Sequence, residues 1–168
     1  MAELKLSNKE FEAVYTLAKK YEEEAPESDE EYYNDYYDSY EEPITKKVIS
    51  SILRKINKAM PGDKLDTINK DFLRKKYHTF NNHVDGSVYA VIEKAFENLK
   101  RVEITYFSME SAEFNTRKID VYYKSRRYVI GYCHLRKEIR KFRASRIASA
   151  KLTNEKYKIP NKFNKEDY

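Results

Sequence analysis

RRYVIGYCHLRKEIRKFRASRI, residues 126–147, carries eight Lys/Arg against a single acid, with the bases threaded between Tyr128, Ile130, Tyr132 and Phe142. From Tyr128 to His134 the two alternating sets are Tyr128, Ile130, Tyr132 and Val129, Gly131, Cys133, so both faces of a strand are predicted to be covered. Residues 138–143 and 146–152 read as two further short strands. The stretch poses a choice: its charge is either a solvated face or the landing place of an anion.

Working outward, the same period of two holds upstream. Val102, Ile104 and Tyr106 alternate with Arg101, Glu103 and Thr105, and Ile119, Val121 and Tyr123 alternate with Lys118, Asp120 and Tyr122. Five short strands result, enough to curl into a small barrel that limits exposed edges. Before Lys100 the period is helical. Val88, Val91, Ile92, Ala95, Phe96 and Leu99 recur at steps of three and four after Asp85-Gly86-Ser87, which reads as a helix start. Val48, Ile49, Ile52, Leu53, Ile56 and Met60 form one apolar side of a helix between Pro43 and Met60, ended by Pro61-Gly62. The residues from Lys64 to Gly86 have no clear period. Ser7-Asn8-Lys9-Glu10 has the form of a capping box, and Phe11, Val14, Tyr15 and Ala18 follow it, giving a helix over about 8–24.

Between these helices, PESDEEYYNDYYDSYEEP places Tyr32, Tyr36 and Tyr40 four apart with Tyr33 and Tyr37 beside them. Two readings are open: an acidic, aromatic mimic of nucleic acid that covers the basic body, or an amphipathic helix or loose acidic linker after a cap at Ser28. Residues 1–42 hold 4 Lys/Arg against 14 Asp/Glu, and residues 43–168 hold 29 against 14, so the net charge of +5 conceals −10 and +15. A basic body of this kind suits a polyanionic partner. At 168 residues the chain can bury one core plus a helical annex. The predicted organisation is a helical region over 1–84 containing the acidic Tyr-rich segment 27–42, a β-domain with its preceding helix over 85–160, and a tail over 161–168.

The lone cysteine, Cys133, cannot form an internal disulfide, and no signal-peptide pattern opens the chain, so a cytoplasmic location is expected. No stretch approaches the roughly 20 apolar residues of a membrane span, and mean hydropathy is −0.90; no membrane association is expected.

The block over about 86–152 resembles the WYL domain family of bacterial regulators. The resemblance is carried by VEITY (102–106), TRKIDVYY (116–123), RYVIGYC (127–133) and RKFRASRI (140–147). In the family's name motif, Trp-Tyr-Leu, this chain has Arg127-Tyr128-Val129. Its R-x-F-R-x-x-R-I pattern is matched by Arg140, Phe142, Arg143, Arg146 and Ile147, with Ser145 where aspartate is common. The two N-terminal helices are similar to the helical stretch that precedes the domain in these regulators, and the usual winged helix is not seen. The resemblance implies an α+β fold, an N-terminal helical segment followed by an Sm-like, SH3-type five-stranded β-barrel. It also implies a ligand site at Tyr128, Arg140, Arg143 and Arg146, a homodimer, and a link to transcription regulation, phage defence or CRISPR accessory roles.

The residues point to the same site. Guanidinium forks suit phosphate oxygens and aromatic faces stack on bases, so their alternation fits a nucleotide-like ligand, a cyclic oligonucleotide or single-stranded nucleic acid. Arg140 and Arg143 fall on opposite faces of one strand, and a bend near Ala144 is expected to let Arg143 and Arg146 converge. Arg127, Tyr106 and His134 complete the candidate set. The alternative is that Arg143 and Arg146 pair with Glu103, Asp120 or Glu138 and only brace the sheet. His134 and Cys133 are neighbours on a strand and point apart, and with no CxxC, HxxxH or paired-carboxylate pattern neither metal nor cofactor is expected. Three glycines leave no phosphate loop. The expectation is a sensor that is not an enzyme; the alternative is a dimerisation or docking module that meets a protein effector without a ligand of its own.

Overall fold

The computed structural model describes residues 5–26, 44–78 and 84–168. The Tyr-rich segment 27–42 and its proposed Ser28 cap lie outside these residues. The chain divides into two compact units, Met1–Phe72 and Leu73–Tyr168.

In the first unit, α1 (Asn8–Glu24) starts where the capping box predicts: the Glu10 N–H donates to Ser7 Oγ at 3.4 Å, and the Ser7 N–H donates to the Glu10 carboxylate at 2.7 Å. These bonds hold the Glu10 carboxyl below the usual range. Helix α2 (Lys46–Ala59) lies antiparallel to α1, because the Lys46 N–H reaches Pro26 O at 3.0 Å and Ser50 Oγ reaches Glu22 at 3.2 Å. Tyr15 and Ala18 of α1 meet Ile49, Leu53 and Ile56 of α2 in a small core. Pro61-Gly62 does end α2, but it also opens α3 (Gly62–His78), a helix with no sequence signal strong enough to predict it. No residue of α3 is fully buried; Leu65 and Ile68 only lean on the core, and Asn69 accepts a hydrogen bond from the Tyr15 hydroxyl.

In the second unit, α4 (Gly86–Glu97) starts at Asp85, whose carboxylate accepts the N–H groups of Ser87 and Val88 at 2.8 and 3.1 Å. Strands β1 (Lys100–Ser108), β2 (Glu113–Lys124), β3 (Tyr128–Cys133), β4 (Glu138–Arg143) and β5 (Ile147–Lys156) form an antiparallel sheet in the order β4-β3-β2-β1-β5. The fold is α+β, a helical segment followed by a five-stranded antiparallel sheet. One face of the sheet carries Val102, Ile104, Ile119, Val121, Val129, Cys133 and Phe142, and α4 covers it with Val88, Ile92 and Ala95. Removing each such side chain from water is worth roughly 1.5–3 kcal/mol, so this layer is what makes the unit cohere. The other face is covered by residues after β5: the Tyr157 hydroxyl donates to Val121 O, and Phe163 sets its ring edge-on to Tyr122.

One residue of the second face is informative. Asp120, which the period of two turns outward, is 5% exposed. Asp120 stands opposite Tyr132, ahead of the register shift between Val121 and Tyr123, and is buried because the second face is covered too, with Arg101 and His134 bonded to its carboxylate. Gly131 is paired with Val121, and a β-carbon at that position would collide with the Asp120 backbone carbonyl.

Candidate anion-binding site

Strand pairing sets Arg117 opposite Ile104 and Arg140 opposite Gly131. Arg117 is in phase with Ile119 and Val121, and Arg140 with Phe142, so both arginines stand on the face of the sheet that carries the core. Where the aliphatic side chains run out toward the strand ends, arginines take over. After Arg143 a 3-10 turn, Ala144–Arg146, redirects the chain, with Ala144 fully buried and Arg146 brought round to the same side.

The result is a cleft of about 210 Å³ whose lining includes Tyr106, Arg117, Arg136, Arg140, Lys141 and Arg146. Glu110 is the one acid among its lining residues. Tyr106 is fixed from both sides, edge-on to Phe142 at 5.2 Å between ring centres and with its hydroxyl accepting the Arg143 N–H at 3.4 Å. Arg117 places its guanidinium 5.7 Å from the centre of the Tyr106 ring. It is only 8% exposed, and its Nε has no hydrogen-bond partner among the described residues. A desolvated guanidinium nitrogen without an acceptor is costly, and an oxyanion is the chemistry that would satisfy it. Arg146 Nε donates to Tyr77 O at 3.4 Å, and Arg140 meets the exposed Glu138 at 3.4 Å with its own side chain 42% exposed, so neither is consumed by a buried carboxylate.

Of the residues singled out from sequence, the structure thus gathers Tyr106, Arg140 and Arg146. Tyr128 and Arg143 are paired across β3 and β4 on the opposite face, and Arg127 is exposed beside them; the turn at Ala144 carries Arg146 away from Arg143. Lys141 joins the two regions, because it lines the cleft and holds its ammonium 4.9 Å from the centre of the Tyr128 ring. His134 belongs to a separate network: its Nε2 is 2.9 Å from Asp120 Oδ2, and Arg101 Nε donates to Asp120 Oδ1 at 2.6 Å. Arg101 also bonds Glu155, whose carboxyl is held below its usual range chiefly by the hydrogen bond from Lys118. Asp120 is therefore occupied by Arg101 and His134.

Sequence reasoning passed over Arg117 and Arg136. Arg117 did leave a signal, since it occupies an inward position of TRKIDVYY; Arg136, in the β3–β4 turn, left none. A larger cavity of about 380 Å³ lies in the first unit, but Glu12, Asp63 and Asp71 face Lys64 around it, and no buried group there lacks a partner. Among the described residues no group of three or more His, Cys, Asp or Glu could hold a metal ion, and no helix is long and apolar enough to cross a membrane.

No curated protein matches the chain. Among solved structures it is similar to proteasome accessory factor B/C (PafBC) of Arthrobacter aurescens, at 18% identity and a TM-score of 0.37, with 91% of this chain and 21% of that one covered. The chain spans about a fifth of the length of that structure. Residues 87–152 match the WYL domain, a stretch that takes in α4 from Ser87, strands β1 to β4, and β5 as far as Leu152. Residues 87–152 are thus the part of the chain that is similar to the WYL domain.

Proposed function

We propose that this is a regulatory sensor whose WYL domain binds a phosphate-bearing ligand, a nucleotide-like molecule or single-stranded nucleic acid, in the arginine cleft. The observation that carries the reading is Arg117, a buried guanidinium with an unpartnered Nε at a cleft edged by three further arginines. At about 210 Å³ the cleft is below the roughly 300–1,000 Å³ of sites that enclose a drug-sized ligand, so it suits a phosphate and part of its sugar, with the remainder running outward past Lys141 to the exposed Tyr128. In this reading the sheet is an Sm-like barrel, and binding modulates transcription or a defence effector.

Fluorescence anisotropy with single-stranded RNA, single-stranded DNA, duplexes and cyclic oligonucleotides tests the proposal. Affinity for the preferred probe is expected to fall with salt, by a logarithmic slope of roughly 0.7 per neutralised phosphate on a single strand, and to drop at least tenfold with Arg117→Gln plus Arg146→Ala. Binding that ignores salt, or that survives both substitutions, refutes it. The second reading, a docking module without a ligand, has one observation in its favour, the exposed apolar side chains of α1 and α2.

A further inference from the structure

The helices of the first unit leave one face uncovered. Val14, Leu17 and Tyr21 on α1 are 38%, 67% and 41% exposed, and Ile44, Val48 and Ile52 at and along α2 are 48%, 48% and 36% exposed. On α1 these residues follow steps of three and four, and on α2 Val48 and Ile52 are four apart, so each set is one stripe, with Ile44 just before the start of α2. At 100° per residue both stripes are offset in the same rotational sense from the residues that join the helices, Ala18 and Ile49. Because α1 and α2 are antiparallel, equal offsets fall on the same side of the pair. That side is opposite to Tyr15, which is turned toward Asn69 of α3. The outcome is one continuous apolar face across two helices, larger than the scattered surface leucines of ordinary proteins.

The charges around the face say what covers it. Helix α1 carries three lysines and five glutamates, whereas α2 carries five Lys/Arg and no acid. On the α1 stripe Glu10 and Glu24 lie seven residues to either side of Leu17; on the α2 stripe Lys55 lies seven beyond Val48. A second copy of this chain, turned about a two-fold axis parallel to the helices, lays its α1 on this α2 and its α2 on this α1. Acidic helix then opposes basic helix twice, and every neighbouring pair in the resulting four-helix arrangement is antiparallel. The other way of stacking the same faces sets acid on acid and base on base.

From this complementarity we infer that the face formed by Val14, Leu17, Tyr21, Val48 and Ile52 is a self-association surface, on which two copies of the chain pair α1 against α2. The inference goes beyond the anion site, which lies in the other unit. It also gives a two-copy regulator a contact independent of the ligand.

Light scattering coupled to size exclusion on the full chain tests it, beside Leu17→Glu with Val48→Glu. Both positions are exposed, so far-UV circular dichroism of the variant should match the parent. The parent is expected at the mass of two chains and the variant at one, with a dissociation constant raised about a hundredfold or more, as the loss of buried Leu and Val and the added charge require. An orientation test mixes Leu17→Cys chains with Lys55→Cys chains under mild oxidation, and the mixed disulfide should outnumber either self-linked product. A parent of single-chain mass overturns the proposal, whatever else covers the face. So does a variant that stays paired, or a mixture in which self-linked products dominate.

Discussion

Replacing Arg117 by methionine separates a ligand-binding arginine from a structural one by the sign of its effect. Its guanidinium is 8% exposed with Nε unpartnered among the described residues, and its visible compensation is the Tyr106 ring at 5.7 Å. A cation over a ring returns about 0.5–2 kcal/mol depending on desolvation, whereas an unsatisfied buried donor costs about 1–3 kcal/mol, and more when charged. Repulsion from Arg136, Arg140 and Arg146 adds to the cost. Methionine keeps most of the volume and none of the charge, so the empty variant is expected to be more stable by about 1 kcal/mol, a rise in melting temperature of about 4–8 °C for a unit of this size. With the best phosphate-bearing probe at a hundred times its Kd, the parent should gain about 2.7 kcal/mol and the variant almost nothing, so the order of stabilities reverses. Urea and thermal unfolding with and without the probe provide the measurement. A variant less stable than the parent by more than about 2 kcal/mol without ligand, or one equally stabilised by the probe, refutes the assignment of Arg117 as an anion receptor.

Three further outcomes follow from the packing. Gly131→Ala forces a β-carbon into the Asp120 carbonyl, and chemical denaturation should register a loss of about 1–3 kcal/mol, the usual cost of overpacking. Burial, with the Asp120 carboxylate nearby, pushes the Tyr157 hydroxyl well above the usual tyrosine range. Since the folded value is raised, this stabilisation is complete below the ordinary tyrosine pKa and declines as pH rises above it; Tyr157→Phe should cost about 1 kcal/mol at neutral pH and flatten the alkaline limb of the stability profile. Lys137 is exposed in the β3–β4 turn with φ of 58°, a left-handed conformation that suits glycine, and Lys137→Gly should raise the urea midpoint by an amount equivalent to about 0.5 kcal/mol; a lowered midpoint would count against strain at that turn.

The elements legible in the sequence are those whose causes are local. Ser7 and Glu10 specify the start of α1, Asp85 the start of α4, and the alternation through Val102, Ile104, Ile119 and Val121 the strands beneath it, because caps and periodicity act within a few residues. Helix α3 escaped notice because its apolar side is thin: Leu65 and Ile68 need only lean on a core supplied by α1 and α2. The burial of Asp120 was hidden for a related reason, since the groups that cover it, Arg101 of β1 and His134 after β3, come from other parts of the chain.

The candidate site divides along the same line. That a basic, tyrosine-bearing hairpin is similar to the WYL domain was legible in residues 126–147 and their neighbours, and so was the shared face of Arg140 and Phe142. Which guanidinium groups meet was not. Arg117 is far from Arg146 along the chain, Arg136 lies in a separate turn, and only the pairing of β1 with β2, the turn between β3 and β4, and the 3-10 turn after Arg143 bring them to one cleft while leaving Tyr128 and Arg143 on the other face. Sequence fixes which way a side chain points relative to its neighbours in one strand; whether two strands' charges converge, and whether a buried nitrogen is left without an acceptor, depends on contacts between residues distant in the chain.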